Sequence, residues 1–168
     1  MAPMSPPATP MARRYARLAD LQALVGQCVG VSPWVVVDQA RIDAFAHCTG
    51  DRQWIHVDPA RAATGPFGTT IAHGFLTLSL LPEFMAGAMH IADVRMGVNY
   101  GLNRVRFPAP VPVDGRLRGH LVLQGYKPLP GGAEIVLQVT VEREGHAKPV
   151  CVAESVTRRY VEPPVALD

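Results

Sequence analysis

The apolar positions along the chain change period twice, and each change predicts a different element. In Arg-Leu-Ala-Asp-Leu-Gln-Ala-Leu-Val, residues 17–25, Leu18, Leu21 and Val25 recur at helical spacing. Trp34-Val35-Val36-Val37 is a β-branched run that predicts the first strand. Asp38 stands at an N-cap position, and Ile42, Phe45 and Ala46 give the following segment one apolar face, so a helix is predicted up to Gly50. A short helix is predicted over 59–64, and the two glycines around Pro66-Phe67 predict a loop.

From Ile71 to about Met85 nearly every side is apolar, which predicts a buried helix. Pro82 lies late in that run and predicts a kink or break near Ser79, because proline removes a donor and clashes with the preceding turn. Beyond Gly87 the period falls to two. Segments near 94–99, 103–107, 116–126, 134–143 and 149–160 read as strands; in the fourth, Ile135, Leu137, Val139 and Val141 share one face. Turns are marked by Pro128 to Gly132 and by Glu144-Gly145. A long buried helix followed by antiparallel strands is an α+β fold.

The chain has 168 residues, 48% of them apolar, enough for one domain with a sizeable core. Boundaries are placed at a tail over 1–14, a single domain over 15–162 and a second tail over 163–168. The first eleven residues contain Pro3, Pro6, Pro7 and Pro10 and lack the apolar core of a secretory signal. No segment offers the roughly 18 unbroken apolar residues of a membrane span. Net charge is +2 with both signs scattered, which gives nucleic-acid binding no support. Cys28, Cys48 and Cys151 form an odd set without CxxC spacing, which disfavours a disulfide framework or zinc site and points to the cytoplasm.

The candidate chemistry lies in Thr49-Gly50-Asp51-Arg52-Gln53-Trp54-Ile55-His56-Val57-Asp58-Pro59. Gly50 can end one helix and Asp58-Pro59 can start the next. Asp51 and His56 are therefore expected in a loop pinned at both ends, as acid–base chemistry requires. Read singly, Asp51 is also an Asx-turn residue and His56 a satisfied half-buried histidine. Asp58 is assigned to capping, His73 to packing or hydrogen bonding beside a helix start, and Trp54 to packing. Gly74 opens the buried helix, where free N–H groups and the helix dipole favour a developing negative charge. His56, Asp58, His73 and His90 fit no familiar zinc spacing.

Gly50-Asp51, His56, Asp58-Pro59 and the helix opening with His73-Gly74 resemble the (R)-specific enoyl-CoA hydratases of the MaoC-like hotdog group. The wording of 53–58, of Gly-Pro-Phe-Gly-Thr-Thr-Ile-Ala-His-Gly-Phe at 65–75 and of 100–111 is nearest to the nodulation-protein-N branch. The resemblance spans roughly 18–161. It implies a hotdog fold, a curved antiparallel sheet around the central helix, and a homodimer. It implies hydration of trans-2-enoyl-CoA without metal or redox cofactor, coenzyme A being part of the substrate. Asp51 and His56 would be the catalytic pair, Gly74 an oxyanion donor, and Gln53 and His73 further site residues. Gln53 and Trp54 depart from the commoner Asn-Pro of that group, and Pro82 replaces a serine that some hydratases carry near the acyl site. Arg104 and Arg106 share a strand face and could meet coenzyme A phosphates; Arg116 and Arg118 do the same on the next strand, although exposed arginines are commonly just solvated. An acyl-CoA thioesterase and a non-catalytic acyl-CoA-binding module remain as alternative readings.

Overall fold

The structure is a computed structural model that describes residues 11–162. The expected tails over 1–10 and 163–168 lie outside the described residues. Strands β1 (Arg13–Tyr15), β2 (Cys28–Val31) and β3 (Val35–Val37) lead into helices α1 (Gln39–Thr49), α2 (Trp54–Val57), α3 (Pro59–Ala63), α4 (Gly74–Ser79) and α5 (Leu81–Ala88). Strands β4 (Met89–Ile91), β5 (Met96–Arg106), β6 (Gly115–Leu129), β7 (Gly132–Arg143) and β8 (Cys151–Tyr160) follow. The main sheet runs β2-β6-β7-β8-β5, with β3 also paired to β6. Its pairings are antiparallel, and it curves around α4 and α5, as expected of a hotdog fold.

The alternation that marked β7 is the alternation of its burial. Ile135, Leu137, Val139 and Val141 are fully buried, while the residues between them are partly exposed. Fully burying a side chain of this size stabilises by about 1.5–3 kcal/mol. These residues belong to one buried cluster with Phe84 of α5, which is itself fully buried. The helix approaches the sheet closely because Gly30 has no side chain: a Cβ there would stand 2.4 Å from the Ala88 carbonyl oxygen.

Pro82 has the predicted effect. The helical run divides at Leu80, whose N–H turns back to the Thr77 carbonyl at 3.3 Å, and α5 restarts with Pro82 in its first turn. Asp38 caps α1 by accepting the Arg41 N–H at 2.9 Å, and Asp58 caps α3 by accepting the Arg61 N–H at 3.0 Å.

Four expectations are corrected. The run at 34–37 is the third strand; β1 and β2 precede it. β1 takes in Arg13 and Arg14, placed in the tail by sequence, because it pairs in parallel with β4, a partner far along the chain. The segments near 94–99 and 103–107 are one strand, β5. The turn-like residues between them are absorbed as two irregularities in its register with β8. The loop expected between Gly50 and Asp58 contains α2.

Candidate active site

Three segments converge at the N-terminus of α4. Gly50 ends α1 with φ of 80°, a left-handed conformation suited to glycine, and its N–H bonds to the Ala46 carbonyl at 3.0 Å. The chain then turns sharply into Asp51. The Asp51 carboxylate accepts the Gln53 N–H at 3.4 Å, so the Asx turn read from the sequence is present. It uses one carboxylate oxygen and leaves the side chain exposed.

The single turn of α2 aims His56 inward. The His56 N–H reaches the Gln53 carbonyl at 2.9 Å, and the Asp58 N–H reaches that of Trp54 at 3.1 Å. Trp54 faces away: the Arg61 guanidinium lies 4.5 Å over its ring, and a Cβ on Gly65 would strike it at 2.9 Å. Trp54 therefore packs, as expected.

His56 is buried, and its Nδ1 lies 2.7 Å from the Ile71 carbonyl oxygen. A carbonyl only accepts, so Nδ1 carries the proton and Nε2 keeps its lone pair. Burial lowers the His56 pKa below its usual 6.5; the Ile71 bond opposes this, nearby His73 adds to it, and Asp51 opposes it. The ring is neutral at neutral pH. Its segment is braced by Gln39, which donates to the His56 carbonyl at 2.8 Å and accepts from the Thr70 hydroxyl at 2.6 Å. Sequence reasoning missed Gln39, Thr70 and the Ile71 carbonyl. Each lies at least fifteen residues from the partner it holds, and none carries a local pattern.

His73 is buried and stacks on His56, with ring centroids 3.7 Å apart and planes inclined by 25°. Its Nε2 donates to the Asp51 backbone carbonyl at 2.9 Å. Phe45 covers the pair, 5.0 Å from the His73 ring. His73 thus ties the Asp51 loop to the start of α4. One potential ligand atom each from Asp51, His56 and His73 lies within 4.8 Å of the others, a spacing that one water can bridge.

That trio is also the group with metal-ligand chemistry among the described residues. It differs from the set weighed in the sequence. Asp58 caps α3, and His90 lies on β4. In the trio, one nitrogen of each imidazole already donates to a backbone carbonyl.

His56 and Gly74 line a cleft of about 350 Å³ with Phe67, Thr77, Phe107 and Val111. Gly74 is the first residue of α4, where an N–H has no intrahelical acceptor. A Cβ on Gly74 would meet the Phe107 ring at 3.1 Å, so the missing side chain makes room first for Phe107. Gln53 stands beside Asp51 with its side chain exposed.

Arg104 and Arg106 are exposed on β5 and form no ion pair among the described residues. The Arg106 side chain donates to the Val105 carbonyl at 2.7 Å. Arg116 and Arg118 instead pair with Glu144 and Glu142 at 2.8 and 2.7 Å, and both lie over the Trp34 ring. Theirs is the solvated, internally paired face.

Comparisons with known proteins bear on the family and the fold. Residues 20–150 match the family model described as MaoC like domain. The 3-hydroxyacyl-thioester dehydratase Z of Mycobacterium tuberculosis is 53% identical over 147 residues, covering 87% of this chain and 97% of that protein. Nodulation protein N of Rhizobium leguminosarum is 47% identical over 150 residues, covering 87% and 92%. Among solved structures, the R-hydratase PhaJ1 of Pseudomonas aeruginosa superposes with a TM-score of 0.68 at 24% identity, covering 92% of this chain and 97% of that one. An (R)-hydratase from A. caviae gives 0.58 at 23%, covering 79% and 94%. At such identities these structures speak for the fold.

Proposed function

This chain belongs to the MaoC-like domain family of dehydratases and hydratases, and from that premise we propose that it hydrates trans-2-enoyl-CoA to (R)-3-hydroxyacyl-CoA and runs the reverse dehydration. The observation that carries the reading is the approach of the Asp51 carboxylate to the buried His56 ring, at a cleft that His56 shares with Gly74.

The neutral His56 can act as the base. Its Nε2 holds the free lone pair and takes a proton from a water that Asp51 orients by accepting the other hydrogen. The water oxygen attacks C3, and the alkene electrons move into the thioester, leaving an enolate. The Gly74 N–H, at the first turn of α4, meets the oxygen where that charge gathers. As the enolate collapses, the proton on His56 Nε2 passes to C2, which restores the neutral ring. Asp51 stabilises the transient imidazolium by its charge. Hydroxyl and proton arrive on the same face, so addition is syn.

His73 acts as a positioning residue, since it holds the Asp51 backbone and stacks on His56. Gln53, exposed beside Asp51, faces the approaching substrate amide. Arg104 and Arg106, free of ion pairs among the described residues, meet the phosphates of coenzyme A. The chemistry needs no metal or redox cofactor. β5 is an edge strand carrying exposed Tyr100 and Leu102, and a second copy of the chain covers it in a homodimer. No helix among the described residues is long and apolar enough to cross a membrane. The free, exposed thiols of Cys28 and Cys48 fit a cytoplasmic setting.

Crotonyl-CoA tests the reading. Hydration removes the conjugated-enoyl absorbance and releases no thiol. Thiol release instead means thioester hydrolysis, and neither signal means a binding module. Asp51→Asn and His56→Ala are each expected to lower kcat by about 10²–10⁴ with the fold intact by circular dichroism. Near-native turnover in either variant refutes the assignment.

A further inference from the structure

Two consecutive arginines near the end of β8 have opposite circumstances. Arg158 pairs with Glu134 at 3.1 Å and lies 3.6 Å over the Tyr100 ring. Arg159 turns toward the helical side, where its Nε is buried without a hydrogen-bond partner among the described residues. Among the described residues, its side-chain contact of hydrogen-bond type is to the Met85 sulfur at 3.8 Å, a weak acceptor. Burial holds its pKa below the ordinary arginine value.

The guanidinium has a prepared place. Gly97 faces Arg159 across the β5–β8 ladder, and a Cβ there would stand 2.6 Å from Nη1. The glycine lets the guanidinium lie across β5. Arg159 lines a cavity of about 330 Å³ between α5, β4 and the start of β5. Its walls include Pro82, Met85, Met89, Ile91 and Val98, and none of its lining residues is acidic. His90 and Asn99 complete the polar part of the lining, so the guanidinium has no carboxylate counter-charge within the cavity wall.

We propose that this cavity is a second binding site, remote from Asp51 and His56, for a carboxylate carried on an apolar chain. The guanidinium grips the carboxylate, and the methionine and aliphatic walls take the chain. Two sources can supply such a group: a free amphipathic carboxylate, or the far end of an acyl chain whose thioester lies at Gly74. The second would run along α4 and α5. The cavity shares Pro82 and Asn99 with a neighbouring cleft of about 370 Å³ lined by Leu78, Ser79 and Leu102. Leu78 and Ser79 belong to α4, the helix that Gly74 opens.

The binding arm is independent of catalysis, so its failure and that of the hydratase reading are distinguishable. Octanoate and 1-octanol are titrated calorimetrically into the full-length protein. Octanoate is expected to bind at least about tenfold tighter, the size of one charge-assisted pair. Arg159→Met is expected to bring the two affinities together. Arg159→Lys is expected to keep part of the preference, and thermal unfolding checks the fold of each variant. Equal affinities in the unaltered protein, or an undiminished preference in a folded Arg159→Met, overturn the proposal. A second arm names the source by comparing kcat/KM for trans-2-enoyl-CoA substrates of equal length ending in a carboxylate or a methyl group. A carboxylate preference that Arg159→Met abolishes assigns the site to the acyl chain; equal values alongside tight octanoate binding assign it to a free ligand.

Discussion

His56 gains its proposed reactivity from the atoms around it. The Ile71 carbonyl fixes the proton on Nδ1, and burial disfavours the charged ring. The depressed pKa sets a sign that can be tested. The neutral form is the base, so kcat/KM should fall as pH drops, with the midpoint of the acid limb below 6.5. Stability follows the same sign: the contribution from the buried neutral ring is complete above 6.5 and is lost as pH falls through the lower, folded value. An acid limb centred above 6.5 would contradict this environment. His73 has a different signature. His73→Leu keeps both the Asp51 carboxylate and the His56 ring but removes the bond that holds the Asp51 backbone, so the pair loses its fixed geometry and kcat should drop about 10–100-fold with little change in KM.

At the scale of elements, the site is a product of helix boundaries. α1 stops at Gly50, α2 makes one turn, α3 starts at the Asp58 cap, and α4 begins at Gly74. Each boundary is a local decision, and together they set Asp51, His56 and His73 side by side. The packing of α5 on the sheet makes a sharper demand. Gly30→Ala would force a methyl group to within 2.4 Å of the Ala88 carbonyl oxygen, which belongs to backbone and cannot rotate away. A loss of about 1–3 kcal/mol is expected, visible as a lower urea midpoint with an unchanged slope. An unchanged midpoint would mean that the helix retreats from β2 at no cost.

Across the whole molecule, β5 is the exposed margin. It pairs with β8 on one side, and most of its residues are exposed. Tyr100 and Leu102 are 57% and 46% accessible, unusual for large side chains on a sheet. If a second copy covers this edge, Leu102→Glu should convert a dimer to a monomer in size-exclusion chromatography with light scattering. A monomeric parent protein, or a variant that stays dimeric, counts against pairing through β5. Phe107, which follows β5, lines the cleft that holds His56 and Gly74, so under the proposed function loss of the dimer should also raise KM.

The sequence alone determined the features governed by near neighbours. Period-two burial marked β7, Pro82 marked the break between α4 and α5, and Asp38, Gly50 and Asp58 marked helix ends through backbone needs that one residue satisfies. The closeness of Asp51 to His56 was legible because their motif is compact. Tertiary structure decided what depends on distant partners. β1 exists as a strand because β4 lies beside it. The His56 tautomer depends on a carbonyl fifteen residues away, and the Arg159 Nε is buried without a partner among the described residues because the fold turns it toward α5 and β5. A single chain records propensities and spacings, whereas burial and charge pairing depend on which surfaces the fold brings into contact.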